Sequence, residues 1–375
     1  MSDADPRHNN VSPEPGCGVR SSAAPGGRGG APEVSICIPT FQHADQVRRL
    51  LESIAAQTFR DYEVVISDDS GNEEVAELVR SLLEDGTFSL RSDDEGPAHR
   101  QEETGAAAPK ENGTEAAAAR RSPPRLRYYR NGTPLGHIYN WNRAIDLAEG
   151  ALIKIMFSDD WFTFPDSLER MAGLLRVDPE ADLAFCGSRQ TPLPSPDGTP
   201  PAQDPWDRCA SPEFIEELRK DYRYLFMGDE IGAPSATIFR AGSARFVEGS
   251  SWASDMFLYF EILSRNPRFA FAPEPLISIG IHGEQYTDSF AERDIRKYRD
   301  DRAMYERYDI GRNEACRRKM LHRNVMYRRG RKEAMECGAS LPEYLKERVS
   351  WFYTNTILGY WNGLKNKLNK IKNRL

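Results

Sequence analysis

Two pairs of adjacent aspartates stand where apolar runs end. YEVVISDD closes on Asp68 and Asp69, and ALIKIMFSDD closes on Asp159 and Asp160. Carboxylates gathered in one cleft resist ionising unless a cation or a set of donors compensates them. Magnesium and manganese favour carboxylate oxygens together with substrate phosphates. One pair could therefore hold such an ion and a diphosphate. The other could accept hydrogen bonds from a base or a sugar. The bland explanation is helix capping, because a short polar side chain before a helix satisfies its first N–H groups. Capping accounts for one acidic residue per site, whereas each site here has two. No glycine-rich phosphate loop, HExxH, CxxC or GxSxG occurs in the chain, which argues against nicotinamide, P-loop and nucleophile-elbow chemistry.

Elements with the right periodicity surround both pairs. VSICIPT (34–40) and YEVVISDD (62–69) are short apolar runs of strand length. Between them Val47, Leu50, Leu51 and Ile54 recur at helical spacing. This is a βαβ unit, so the two strands are parallel and helices must cover the sheet. Val75, Leu78, Val79 and Leu82 mark a second helix, LRYYR (126–130) a third strand, and 138–149 a further helix. ALIKIMFSDD (151–160) reads as one strand running into its aspartates, with a helix after Pro165 and a strand at 181–187. Ligands of open α/β sheets bind at the carboxyl ends of the strands, so all four aspartates are expected on one crevice. Further on come a helix at 212–220, a strand at 233–240, a helix at 252–265, and a strand pair or bent strand at 269–283. From 290 to 345 the chain is charged and mostly helical.

Composition sets the remaining bounds. The chain has 375 residues and a formal net charge of -7, so nothing global suggests nucleic acid as a partner. Six scattered cysteines form no metal or disulfide spacing, which suits a reducing compartment. Residues 1–32 read as a disordered tail, and 84–124 as a disordered insertion in a loop. The N-terminus lacks a signal-type apolar stretch and no run is long enough to span a bilayer, so a cytoplasmic location is expected. At the C-terminus Ile357, Trp361, Leu364, Leu368, Ile371 and Leu375 make one apolar stripe among Lys, Arg and Asn. Such a basic amphipathic helix lies on an anionic membrane surface, here the inner face. Packing on the domain, or pairing in a homo-oligomer, is the other expectation.

The ordered series IPTF (38–41), QTF (57–59), EVVISDDSG (63–71), NWNRAIDLAEG (140–150) and IKIMFSDDWFTFPDSLERM (153–171) resembles the glycosyltransferases of family 2. The resemblance covers 34 to about 187 apart from the insertion, and weakens toward 287. It implies an α/β GT-A fold at 33–287, a Rossmann-like, mostly parallel sheet flanked by helices. A helical C-terminal extension follows at 288–375. It also implies an inverting, metal-dependent transfer from a nucleotide-diphosphate sugar, with Mn²⁺ or Mg²⁺ and most commonly a UDP-sugar. The acceptor would be a hydroxyl of a saccharide or a lipid-linked glycan in surface polysaccharide or glycoconjugate synthesis.

Residue by residue, Pro39 and Thr40 resemble the backbone that borders the nucleoside. Asp68 resembles the carboxylate that recognises the base, with Asp69 near the ribose. Asn142 matches the asparagine of the helix before the metal motif. Asp160 is similar to the metal-binding aspartate and Asp159 to its neighbour, although Ser158 stands where the family usually has the first acidic residue. In SSWASDMFLYF, Asp255 matches the acceptor-side base, with Ser254 in the place of the usual preceding Glu. An acid in the first turn of a helix is also favourable on dipole grounds alone. Trp252 would form a sugar-stacking wall or a core aromatic. His282 resembles a ligand of the diphosphate or metal, and His137 could line the acceptor cleft. Asp229 and Glu230 read as a solvated acidic loop, with contact to the acceptor as the alternative. Two other classes stand as alternatives. A GT-A-like scaffold without turnover is disfavoured by the presence of Asp160 and Asp255. A sugar-phosphate nucleotidyltransferase is disfavoured because IPTFQHADQVRR lacks the glycine pattern and nearby lysine of that class.

Overall fold

The computed structural model describes residues 31–90, 123–195, 197–283, 285, 289–358 and 365. The N-terminal tail, most of the insertion and the C-terminal basic stripe beyond 358 therefore lie outside the described residues. β1 (Val34–Thr40), α1 (Ala44–Ala55), β2 (Tyr62–Asp68), α2 (Glu74–Glu84) and β3 (Arg125–Arg130) form the parallel half of one sheet, with β1 paired to β2 and β2 to β3. Both helices bury the residues whose spacing marks them in the sequence, Val47, Leu50, Leu51 and Ile54 on α1, and Val75, Leu78, Val79 and Leu82 on α2. Each such side chain contributes roughly 1.5–3 kcal/mol on burial. Packing extends into the segment read as an insertion, since Phe88 is buried and Ser89 bridges to Arg125.

α3 (His137–Asp146) leads to β4 (Leu152–Ile155), which is parallel to β1. β5 (Trp161–Phe162), α4 (Ser167–Val177), β6 (Leu183–Pro192), β7 (Trp206–Arg208), α5 (Pro212–Lys220), β8 (Thr237–Arg240), α6 (Ser254–Leu263) and β9 (Phe269–Ile281) complete the sheet and its cover. The strand order is β3-β2-β1-β4-β8-β6-β9-β5, with β7 added on β6. Most of the paired length is parallel, and β8 joins antiparallel between β4 and β6. The expected α/β sheet flanked by helices is thus the architecture found. β9 is one long strand rather than a pair, with register shifts where Gly187 faces it.

One expectation about the second aspartate pair is corrected. β4 ends at Ile155, and Asp159 and Asp160 sit in a turn beyond it. Met156 N–H still bonds Cys37, but the N–H of Phe157 is taken by the Ser235 hydroxyl at 3.0 Å, which ends the ladder. The N–H of Asp160 then bonds back to Phe157.

Strand alternation divides the core into two layers. Ile36 and Ile38 pack with α1, α2 and α4 on one face. Cys37, Ile153 and Ile155 pack on the other with α3, α5 and α6. α6 is buried all round from Met256 to Leu263. It is covered by the C-terminal helices α7 (Ile295–Arg307) and α8 (Glu314–Met326), which belong to the same core cluster. α9 (Arg331–Glu336) and α10 (Leu341–Phe352) follow. Among the described residues no helix is long and apolar enough to cross a membrane.

Candidate active site

A cavity of about 500 Å³ opens at the carboxyl ends of the parallel strands. Its wall takes Pro39 and Thr40 from the end of β1, Asp69 just past β2, and the lead-in to α3. The Phe157–Asp160 turn, Pro234 and the Ser251–Asp255 segment close it. Seven of the residues proposed from sequence meet here with His137: Pro39, Thr40, Asp69, Asp159, Asp160, Trp252 and Asp255. The Thr40 hydroxyl is buried there and has no partner among the described residues.

Asp69 organises one wall. Its carboxylate accepts the N–H groups of Leu135 at 2.7 Å and Gly136 at 2.8 Å, and the Asn131 amide at 2.8 Å. Gly136 starts α3 at φ 87, a conformation that favours glycine. Asp68 is different. It is fully buried, accepts the Tyr128 hydroxyl at 2.6 Å and the N–H of Ser70 at 2.9 Å, and does not line the cavity. The expectation of four aspartates on one crevice becomes three, because β3 supplies Asp68 with its own donor. Neither residue caps α2, whose first turn has no side-chain cap.

Asp159 and Asp160 form the floor. Asp160 is 2% exposed, and its carboxyl is raised well above the usual range by burial and then by Asp159. The Ser235 hydroxyl, the N–H of Gly280 at 3.3 Å and the charge of Lys154 oppose that shift. Lys154 lies in the middle of β4, and burial pushes its ammonium down to about 7. It donates to the carbonyls of Ser235 and Ile155. Arg49 of α1 stacks 4.4 Å from the Trp161 ring and feels both aspartates. His282 Nε2 lies 3.2 Å from Asp159 Oδ2. β9 must approach closely for this, and a Cβ on Gly280 would come within 2.4 Å of the Asp159 carbonyl oxygen.

The facing segment carries a second acidic pair. Asp255, in the first turn of α6, accepts the N–H of Met256 at 2.7 Å. Burial, then the nearby charge of Asp229, pushes its carboxyl up to about 8. Burial also raises Asp229, against the pull of Arg208, whose guanidinium is 3.9 Å away, and of the Gly232 N–H at 3.0 Å. Asp229 and Glu230 are half-buried and held by partners, not a freely solvated loop. Glu230 accepts the N–H of Ser211 at 2.7 Å, and Asp229 belongs to the electrostatics of Asp255.

Besides Asp68, two residues proposed from sequence stand elsewhere. Asn142 is buried and bonds both backbone groups of Phe246 at 2.9 Å, so its amide anchors that loop instead of reaching the cavity. His282 lines a neighbouring cleft with Arg49 and His43, and meets the floor through Asp159. His137 packs edge-on against Trp141, with its imidazole lowered by burial. Lys154 and Arg208 were missed. Lys154 had a visible signal, a lysine inside an apolar strand run. Arg208 had none, since only the fold brings it near Asp229.

An acidic cavity at the carboxyl edge of the sheet lies where open α/β sheets bind their ligands. The family profile of Glycosyl transferase family 2 matches residues 35–98 and 110–242, just over half of the chain, and the chain belongs to this family. An uncharacterized protein of Mycobacterium tuberculosis (strain CDC 1551 / Oshkosh) is 24% identical over 158 residues, covering 42% of this chain and 37% of that protein. The GalNAc(5)-diNAcBac-PP-undecaprenol beta-1,3-glucosyltransferase of Campylobacter jejuni is 32% identical over 54 residues, 14% of this chain and 18% of that enzyme. The chain thus spans well under half the length of these curated relatives. Among solved structures, S. aureus TarS 1-349 in complex with UDP-GlcNAc aligns with TM-score 0.49 and 14% identity over 86% of this chain and 81% of that one. Mannosyltransferase PcManGT from Pyrobaculum calidifontis, in complex with GDP-Man and Mn²⁺, aligns with TM-score 0.42 and 15% identity over 87% and 70%.

Proposed function

We propose that the protein is an inverting glycosyltransferase that moves a sugar from a nucleotide-diphosphate donor, a UDP-sugar foremost, to a hydroxyl acceptor. One observation carries this reading. A single cavity joins an acidic floor, Asp159 and Asp160, to a separate carboxylate, Asp255, whose proton affinity is raised toward neutrality. A base with that affinity suits removal of a hydroxyl proton as the oxygen attacks the anomeric carbon. Pro39 and Thr40 border the nucleoside, and the unpartnered Thr40 hydroxyl is available to it. Asp69 holds the adjoining loop by its backbone, beside the ribose. Trp252 offers an aromatic face to the acceptor sugar and His137 a second wall.

Asp159 and Asp160 also suit a divalent ion, with His282 in reach of Asp159. Among the described residues no three acidic, histidine or cysteine side chains close a shell by themselves. That donor set fits Mg²⁺ or Mn²⁺ only if the diphosphate oxygens complete the coordination, which is the habit of these ions. Such an ion would supply charge stabilisation for the leaving diphosphate. The protein's own contribution is to hold two acids at the floor against Lys154, and to keep Asp255 proton-hungry on the acceptor side.

The acceptor reading is a saccharide or lipid-linked glycan of surface polysaccharide or glycoconjugate synthesis. The Campylobacter relative is named for an undecaprenol-linked substrate. α10 supports contact with a membrane surface, because Leu341, Leu345, Val349 and Phe352 are exposed along one side of it. The basic stripe that follows in the sequence continues that character. Sedimentation with phosphatidylglycerol vesicles tests it, and loss of vesicle binding on Val349→Glu is the expected result. A concentration-dependent dimer abolished by the same change would assign the face to a second copy instead.

The decisive experiment is calorimetry with UDP, TDP and GDP, with and without Mn²⁺, on wild type and Asp160→Ala. Ion-dependent binding of one diphosphate, lost in the variant, is expected. Absence of binding under every condition would overturn the donor reading.

A further inference from the structure

We infer that Asp300, on α7 of the C-terminal helical region, is the positioning residue of the acceptor wall. This inference rests on the proposed roles of Asp255 and Trp252. One oxygen of its carboxylate, Oδ2, accepts four hydrogen bonds from three consecutive residues. The donors are Ser251 N–H at 3.1 Å, Ser251 Oγ at 3.2 Å, Trp252 N–H at 2.7 Å and Ala253 N–H at 3.0 Å. Successive backbone N–H groups turned toward one point form a nest for an anion. Here the anion belongs to the protein itself and comes from 48 residues further along the chain than Trp252.

The local sequence explains why an outside carboxylate is needed. α6 begins after Ala253, which has no side chain able to cap it. The segment before it must present Trp252 to the cavity and fix the helix start that carries Asp255, yet its own polar side chains are short serines. Those serines bond locally, Ser250 Oγ to the Val247 carbonyl at 2.6 Å and Ser254 Oγ to the Ser251 carbonyl at 3.2 Å. Asp300 binds all three free N–H groups at once. It is only 5% exposed, so the charge-assisted bonds are shielded from water.

The same helix reaches the indole. Lys297, one turn before Asp300, lies 5.0 Å from the Trp252 ring centroid. α7 thus holds Trp252 by both its backbone and its ring. α7 is in turn fixed from behind, where Asp301 pairs with Arg323 of α8 at 3.0 Å. The C-terminal region is then part of the active-site wall, and its removal would release the loop that carries the acceptor residues. A misplacement of about 1 Å at such a wall can cost on the order of 10²-fold in rate.

The test compares Asp300→Asn, Asp300→Glu and Asp255→Asn with wild type. Amide hydrogen exchange of residues 248–256, UDP affinity with Mn²⁺, and UDP release from a UDP-sugar in the presence of methyl glycosides are read on each. Asp300→Asn is expected to speed exchange of the 251–253 amides by at least about tenfold. It should leave UDP affinity within about twofold and lower UDP release by on the order of 10²-fold, and Asp300→Glu should restore part of that loss. Unchanged exchange in Asp300→Asn, or UDP affinity falling in step with turnover, would overturn the inference. If Asp300→Asn does not fold, Lys297→Met carries the test, with reduced turnover at unchanged UDP affinity expected and wild-type turnover overturning it. Wild-type turnover in Asp255→Asn sinks the reading of the base, whereas a dead Asp255→Asn beside a fully active Asp300→Asn sinks only the role of Asp300.

Discussion

The floor and the facing wall of the cavity are built by opposite means. The floor rests on the turn beyond β4, where Lys154, the Ser235 hydroxyl and the Gly280 N–H pull Asp160 down against burial and Asp159. The facing wall rests on a loop and a helix start, where Asp255 meets a second carboxylate and Arg208. Compensation at the floor is built in but incomplete, since burial and Asp159 still hold the Asp160 carboxyl well above its usual range. The wall holds its acids short of full ionisation. A binding surface gains from the first arrangement, and a proton acceptor gains from the second.

Removing the base breaks this comparison most severely. Asp255→Asn keeps the size of the side chain and deletes its proton affinity. Transfer should fall by about 10²–10⁴-fold, the usual contribution of a positioned base, while UDP affinity stays near wild type. Measuring UDP release and UDP binding on the same preparation separates the two. Equal losses in both would mean that Asp255 belongs to the floor.

The mirror experiment breaks the floor and spares the wall. In Gly280→Ala the new methyl would meet the Asp159 carbonyl oxygen at 2.4 Å, a contact between two backbones that cannot both stay in place. The Asp159–Asp160 turn must move. Overpacking of this kind costs roughly 1–3 kcal/mol, enough for about a tenfold to hundredfold loss of ion-dependent UDP affinity. The pH at which activity rises should not change. Thermal melting together with calorimetry checks it, and wild-type affinity for UDP would show that β9 does not shape the floor.

The two regions also differ in how much of them the sequence discloses. β1, α1, β2 and α2 follow from period-2 and period-3.6 patterns, and the βαβ rule then puts Asp69 at a strand end. That local logic holds wherever partners are near in sequence. It overextends at β4, where an apolar run passes for a strand although Ser235, from a distant segment, ends the ladder at Phe157. It assigns Asn142 by likeness to a motif, while the amide is occupied by Phe246. It misses Arg208 beside Asp229 and Asp300 beneath Trp252, because those contacts join elements whose spacing carries no period. Asp255 itself is recognisable only by resemblance, since an acid early in a helix has an ordinary explanation.

The smallest expected effect is the sharpest probe of the wall. Asp229 raises Asp255 by like charge, after burial. A base must be ionised to act, so kcat/KM should climb with pH and level off near the value of about 8 set for Asp255. Asp229→Asn removes the like charge and leaves the burial. The rising limb should therefore move to lower pH, by about one unit if the charge accounts for that much of the shift, which is a gain of up to about tenfold in kcat/KM near pH 6.5. Stability shifts in the matching direction. Both carboxyls bind protons more tightly folded than unfolded, so stability is greatest near the usual carboxylate range and declines as pH rises toward 8. Asp229→Asn removes one of the two groups and should flatten that decline in urea titrations at pH 5 and pH 8. A limb that stays in place would mean that Asp229 and Asp255 titrate independently and that burial alone sets the base, and an unchanged decline would mean that folding does not raise Asp229.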